Sequence, residues 1–331
     1  MKLKQISLLS VFLTMGFFSG CKSVPVPKAE LAEESAKIPA LDIIPSETFL
    51  DVEYLQTPQR PLHLDIYLHP NVHTTPTPII LYFHGGGWAR GAPPDSWTGF
   101  RHFLSAGYSI ATVEYRLSGE AKAPAAVQDA RCALKWIGTN SDRLGIDRER
   151  IVLFGTSAGG HLALMTGLLA ETNDIDIPEC EQPPQAAAIL DYYGPSDLTK
   201  FTSKNGKRHP TIVAFTGAGD EGKRVEELIS PINHVSSESS PVFIVHGTDD
   251  PTVPIEQSYD LKKSLDEMGV PSTLHVVPQG RHGKFNDTEQ LKIQAEVLAF
   301  LSDHGIDDNS DAFNETRSSS PTPNLEDLEN Q

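Results

Sequence analysis

The sequence predicts an α/β fold, a mostly parallel eight-stranded sheet flanked by helices, with a short insertion over one end. Eight short apolar runs recur along the 331-residue chain, most of them continuous rather than alternating, as in strands buried on both faces. Segments with helical spacing separate them, and strand–helix alternation implies parallel crossovers. Several runs end in glycine-containing turns that carry polar residues, as ligand-bearing strand ends do. In chain order, 51–55 and 63–68, joined across Pro58 and Pro61, read as an antiparallel hairpin entering the sheet. Strands follow at 79–83 and 108–113, then a helix over 124–137 with Ala126, Ala130, Ala133, Leu134 and Ile137 on one face. The fifth strand is 151–154, followed by the helix-compatible stretch 161–169 and a sixth strand at 186–190. Residues 199–240 carry no clear strand and are expected to cover one end of the sheet. A seventh strand at 242–245, a helix over 255–268 and a last strand at 273–277 complete the body.

The chain is 39% hydrophobic and 21% charged, an ordinary globular balance that supports a full core. It carries 27 Lys plus Arg against 44 Asp plus Glu, a formal charge of −17. So acidic a surface repels phosphate backbones, which excludes non-specific nucleic-acid binding and makes an anionic polymer a poor substrate without a local basic patch. Three cysteines are too few for a disulfide scaffold, and there is no internal repeat.

The N-terminus reads as an address. Lys2 and Lys4 precede an apolar run from Ile6 to Phe18, then Ser19, Gly20 and Cys21. The run is shorter than the roughly 20 residues that a spanning helix needs. Ser-Gly-Cys resembles a bacterial lipobox, in which the thiol takes a diacylglycerol, although Phe18 stands where Leu is commonest. The resemblance implies lipidation at Cys21 and an exported protein anchored to the bacterial cell envelope, at the outer membrane or in the periplasm; an ordinary signal peptide with an incidental Cys is the alternative. The expected organisation is a signal peptide over 1–20, a lipoprotein tether over 21–45, a catalytic domain over 46–304 and a disordered acidic tail over 305–331. With Cys21 modified, Cys132 and Cys180 fit either a disulfide or two free thiols.

The chemistry centres on Gly155-Thr156-Ser157-Ala158-Gly159, placed between a strand and a helix. That is the setting of a nucleophile elbow, where glycines two residues either side of the serine let strand and helix approach closely. A serine hydroxyl is a poor nucleophile at neutral pH and needs a base, which in turn needs an orienting acid. His282 follows the last strand in Gly280-Arg281-His282-Gly283, and Asp249 and Asp250 lie just past the seventh. Asp191, at the end of the sixth strand, is a third carboxylate in a suitable position. His84 and His246 precede glycine turns and are expected to brace loops, and His161 to pack beneath the site. His246, Asp249, Asp250 and His282 match no tight metal motif, so neither metal nor cofactor is expected. His84-Gly85-Gly86-Gly87-Trp88 supplies flexible backbone amides of the kind that hold a tetrahedral oxyanion, with no Lys following as a phosphate loop would demand. The amide of Ala158, directly after the serine, is a further donor.

Taken in order, His-Gly-Gly-Gly-Trp, Gly-Thr-Ser-Ala-Gly-Gly, His-Gly-Thr-Asp-Asp-Pro-Thr-Val-Pro and Gly-Arg-His-Gly resemble the α/β-hydrolase carboxylesterases of the hormone-sensitive-lipase-like group. Tyr115-Arg116-Leu117, Pro124 to Val127 with Asp129, and Asp191 to Asp197 are similar to bacterial secreted acetylxylan and feruloyl esterases. The resemblance implies Ser157 as nucleophile, His282 as base, Asp250 rather than Asp249 as acid, and the amides of Gly86, Gly87 and Ala158 as the oxyanion hole. It implies a small-molecule or carbohydrate ester as substrate. With only a short tether expected before the first strands, the large helical cap of many lipid-handling relatives is expected to be absent and the cleft open, and Trp88 and Trp97 are candidates either for stacking on a sugar or aryl group or for packing. An arylformamidase-type amide hydrolase and a catalytically silent binding scaffold are the rival readings. Oligomeric state is not readable from the sequence.

Overall fold

A computed structural model describes residues 43–170, 173–203 and 206–307. The signal peptide, Cys21, and nearly all of the tether and tail expected from sequence lie outside the described residues. Eight strands form one sheet: β1 (Glu47–Gln56), β2 (Pro61–Leu68), β3 (Thr77–Phe83), β4 (Ser109–Val113), β5 (Ile146–Thr156), β6 (Ala188–Tyr192), β7 (Val242–Gly247) and β8 (Ser272–Val277). Their spatial order is β1-β2-β4-β3-β5-β6-β7-β8. β1 pairs antiparallel with β2, and β2 antiparallel with β4. From β4 to β8 every pairing is parallel, which aligns the C-terminal ends of β3, β5, β6, β7 and β8 along one edge.

The apolar runs are continuous because both faces of the sheet are covered. Ile79, Leu81 and Phe83 of β3 and Ile151 and Leu153 of β5 join one core, while Ile80, Val152 and Phe154 join the other. The first core is completed by α2 (Ala125–Leu144), α3 (Ala158–Leu168) and α6 (Glu256–Glu267). The second is completed by α1 (Arg101–Ser105) and α7 (Asp287–Asp303) through Phe103, Leu104, Ile293, Val297, Phe300 and Leu301. Among the described residues no helix is long and apolar enough to cross a membrane.

Several elements run longer than their apolar patterns, β1, α2 and β5 most of all. α2 continues past Ile137 to Leu144, and β5 begins at Ile146 rather than at 151. Ile146 pairs with Thr77, and the charged residues 147–150 form a register shift before pairing resumes at Ile151, with Arg150 held by Asp147 at 2.8 Å and by the Pro76 carbonyl at 2.8 Å. The expected insertion contains no named strand; it holds α4 (Pro210–Thr216) and α5 (Gly219–Leu228). Ala123 N–H donates to the Phe215 carbonyl at 2.9 Å and Lys122 Nζ to the Ala214 carbonyl at 2.5 Å, tying the insertion to the start of α2. Cys132 on α2 and Cys180 form a disulfide with Cα atoms 4.8 Å apart. At the sheet's edge β1 is interrupted twice in register, and Asp51 takes a left-handed φ of 54°.

Candidate active site

β5 runs straight into α3, and Ser157 is the hinge residue between them, with φ 56° and ψ −120°. A non-glycine residue there is strained, and the surroundings over-determine it. Its amide donates to the Tyr192 carbonyl at 2.8 Å, and its carbonyl accepts from His161 N–H at 3.1 Å. A Cβ on Gly155 would lie 2.0 Å from the Gly159 carbonyl oxygen, and one on Gly159 would lie 2.0 Å from that of Phe83. The two flanking glycines are therefore required by the packing of α3 on β3 and β5.

The loops after β7 and β8 bring the other groups to the hydroxyl. His282 Nε2 lies 2.8 Å from Ser157 Oγ, and His282 Nδ1 lies 2.7 Å from Asp250 Oδ2. The Asp250 carboxylate is buried, whereas the imidazole is 23% exposed. Burial pulls the Asp250 pKa upward, but hydrogen bonds from His246, His282 and the amides of Thr252 and Val253 outweigh it and hold the group well below the usual carboxylate range. Those two amides donate to Oδ1 at 2.7 and 3.0 Å, while Oδ2 faces His282 and, at 3.4 Å, His246 Nε2. An ionised, fixed carboxylate against Nδ1 leaves Nε2 as the acceptor that faces the serine.

Of the competing carboxylates, Asp249 is exposed and accepts from Thr248 Oγ1 at 3.0 Å, away from the imidazole. Asp191 is fully buried beneath the first turn of α3, where Oδ1 accepts from Gly194 N–H at 3.0 Å and Oδ2 has no hydrogen-bond partner among the described residues. Burial pushes its pKa up to about 8. His84 and His246 brace loops: His84 Nδ1 donates to the Gly85 carbonyl at 2.7 Å, and His246 Nε2 to that of Val253 at 3.0 Å.

The glycine loop follows β3. Gly86 and Gly87 have φ of 128° and 62°, conformations that turn successive amides without a side-chain penalty, and Gly86 lies against the Arg90 backbone, where a Cβ would clash at 1.9 Å. Among the described residues the Gly86, Gly87 and Ala158 amides donate to no protein acceptor.

Trp88 does not fit the stacking role expected of it. It is only 2% exposed; its φ of 57° turns the indole inward, flat against Phe215 at 4.4 Å between ring centres. Trp97 is half-buried against the second core, with the Arg101 guanidinium 5.8 Å from its ring centre. Sequence reasoning passed over Tyr193, whose ring meets the His282 imidazole edge-on at 4.7 Å and whose hydroxyl crowds Gly283. Its φ of 47° and its place just past β6 were the available signals, of which only the second is visible in sequence.

A mostly parallel eight-stranded sheet, with a serine at a strand–helix elbow and a histidine and an aspartate on the loops beyond later strands, defines the α/β-hydrolase class. Residues 64–265 match the BD-FAE family, and the chain belongs to that family. It is 26% identical over 208 residues to Esterase LipC of Mycobacterium tuberculosis, covering 61% of this chain and 51% of the relative. It is similar to a truncated form of a carbohydrate esterase from gut microbiota, with a TM-score of 0.65 and 26% identity over 80% of this chain and 98% of that one. The acetyl ester-xyloside bifunctional hydrolase from Caldicellulosiruptor lactoaceticus gives a TM-score of 0.64 and 26% identity, again over 80% and 98%. The chain spans about half the length of the curated relatives it matches.

Proposed function

We propose that the protein is a serine carboxylesterase that removes short acyl groups, acetyl or hydroxycinnamoyl, from carbohydrate alcohols. The single observation that carries the reading is the unbroken hydrogen-bonded line from Ser157 Oγ through His282 to Asp250, at 2.8 and 2.7 Å. In it, His282 Nε2 takes the hydroxyl proton as Ser157 Oγ attacks the ester carbonyl. The oxyanion is received by the amides of Gly86, Gly87 and Ala158. The imidazolium, stabilised by Asp250, gives its proton to the alcohol oxygen as the C–O bond breaks and the alcohol departs. Water then attacks the acyl-enzyme with the same imidazole as base, and the carboxylic acid leaves. No cofactor enters these steps.

The likeness to a carbohydrate esterase and to an acetyl ester-xyloside hydrolase supports a carbohydrate alcohol. Trp97 is the remaining candidate for stacking on a sugar. We further propose that the protein is exported and held by lipid at Cys21 in the bacterial cell envelope, at the outer membrane. The Ser-Gly-Cys sequence supports this, as does the Cys132–Cys180 disulfide, since disulfides form and persist mainly in oxidising compartments.

Hydrolysis of p-nitrophenyl acetate, butyrate and octanoate, beside a Ser157→Ala variant, tests the reading. Expected are a preference for acetate and a fall in kcat of about 10⁴-fold or more in the variant. Turnover that survives the substitution would overturn the nucleophile. Ester inertness in a protein that still labels with a fluorophosphonate would instead point to an amide substrate.

A further inference from the structure

His161 lies four residues beyond Ser157 in the first turns of α3, is fully buried, and takes no part in the proton path above. Its Nδ1 is 3.3 Å from Trp88 Nε1, and its Nε2 is 2.7 Å from the Ile229 carbonyl. An indole N–H only donates and a carbonyl only accepts, so Nδ1 must accept and Nε2 must carry the hydrogen. Burial lowers its pKa to about 4, so the ring is neutral at pH 7 in that one tautomer. Trp88 directly follows Gly86 and Gly87, and a bulky residue at a φ of 57° is an outlier that its surroundings must hold in place. The hold comes from three directions. The His161 ring meets the indole edge-on at 5.1 Å, Phe215 of α4 stacks on it at 4.4 Å, and the Ser118 amide donates to the Trp88 carbonyl at 2.7 Å. α4 also bears on the loop itself, since a Cβ on Gly87 would lie 3.0 Å from Thr211 Cγ2. The elbow helix, the glycine loop and the insertion thus converge on one imidazole.

We propose that His161 is a positioning residue that fixes the glycine loop, and that the insertion over 199–240 sets the geometry of the oxyanion amides through the Phe215–Trp88–His161 stack. The proposal rests on the esterase reading. Amides that receive charge only in the transition state affect kcat and leave ground-state binding nearly untouched. Loosening the stack therefore slows turnover without weakening substrate binding.

The experiment compares kcat and KM for p-nitrophenyl acetate in the full-length wild-type protein and in His161→Leu, His161→Gln and Trp88→Phe. Alongside runs inhibition by an aryl trifluoromethyl ketone, which adds Ser157 Oγ to its carbonyl carbon, the hydroxyl proton passing to His282 and the resulting alkoxide sitting on the oxyanion amides. Expected for His161→Leu and Trp88→Phe are a 10- to 100-fold lower kcat, a KM within about threefold, and a ketone inhibition constant that rises in parallel with the loss in kcat. His161→Gln, whose amide supplies one acceptor and one donor, should recover most of the loss. Trp88→Phe keeps an aromatic ring against Phe215 while removing the N–H donor together with the five-membered ring of the indole, so it carries the test should His161→Leu fail to fold. An active wild type with unchanged kcat in the folded variants, or a change confined to KM, overturns the positioning role. A wild type inert toward esters overturns the esterase reading itself and the proposal with it.

Discussion

At the scale of single residues, two buried aspartates near the elbow have been driven in opposite directions by their partners. Asp250 collects four hydrogen bonds and stays ionised; Asp191 has one, from Gly194, and its pKa is raised by burial to about 8. An unfolded aspartate titrates near pH 4, so between about pH 4 and about pH 8 the folded chain holds a proton at Asp191 that the unfolded chain has lost. Stability from this group is therefore fully present below the unfolded pKa and is lost as pH rises towards the folded one. Asp191→Asn cannot titrate, so its Tm should gain on that of the wild type steadily across this window, with the two curves parallel outside it. Tm curves that stay parallel from pH 4 to pH 8 would show that Asp191 is ionised in the fold. The positions of Ser157 and His282 were legible because strand, turn and order of appearance constrain them together, whereas Asp250 was separated from Asp249 only by the family resemblance. The inward turn of Trp88 was not, because an aromatic after three glycines looks the same in sequence whether its φ is positive or negative.

At the scale of elements, the strands could be read because each central strand presents apolar side chains to two cores at once. Their ends could not, because Asp147 to Arg150 in β5 and the polar last turns of α2 are held by hydrogen bonding and caps rather than by burial alone. The junction of β5 and α3 tolerates almost no added atom, since the close approach of Gly159 to the Phe83 carbonyl leaves no space for a methyl group. Gly159→Ala should cost about 4 kcal/mol or more, or abolish soluble expression. Gly99→Ala, where an added Cβ meets nothing within 4 Å, should stay within about 0.5 kcal/mol of the wild type. Thermal unfolding of the pair checks this, and equal melting temperatures would mean that the elbow relaxes more easily than its backbone contacts imply.

At the scale of the whole molecule, the disulfide joins α2 to the segment before β6 across 48 residues of sequence. Its existence was undecidable from spacing alone, because the last part of α2, β5 and α3 all lie between the two cysteines in sequence, and only the packed fold brings the sulfurs together. Closing a loop of that length lowers the entropy of the unfolded chain by an amount worth about 4 kcal/mol at 25 °C. A Cys132→Ala, Cys180→Ala double variant should therefore lose roughly 2–4 kcal/mol in urea unfolding while keeping kcat, since neither sulfur touches the site. An unchanged midpoint would mean that the unfolded chain is already constrained there. The edge of the sheet bears on a different property, the behaviour of many copies held close together. An incoming strand would have to follow a twice-interrupted path along β1, past the charges of Glu47, Asp51 and Glu53, with the Asp51 amide already committed to Asp65 Oδ1 at 2.8 Å. That makes the edge a poor template for sheet extension, and the formal charge of −17 adds mutual repulsion. Crowded on a surface, neighbouring molecules would resist fusing into intermolecular β-structure, even with Phe49 and Leu50 exposed on the same strand.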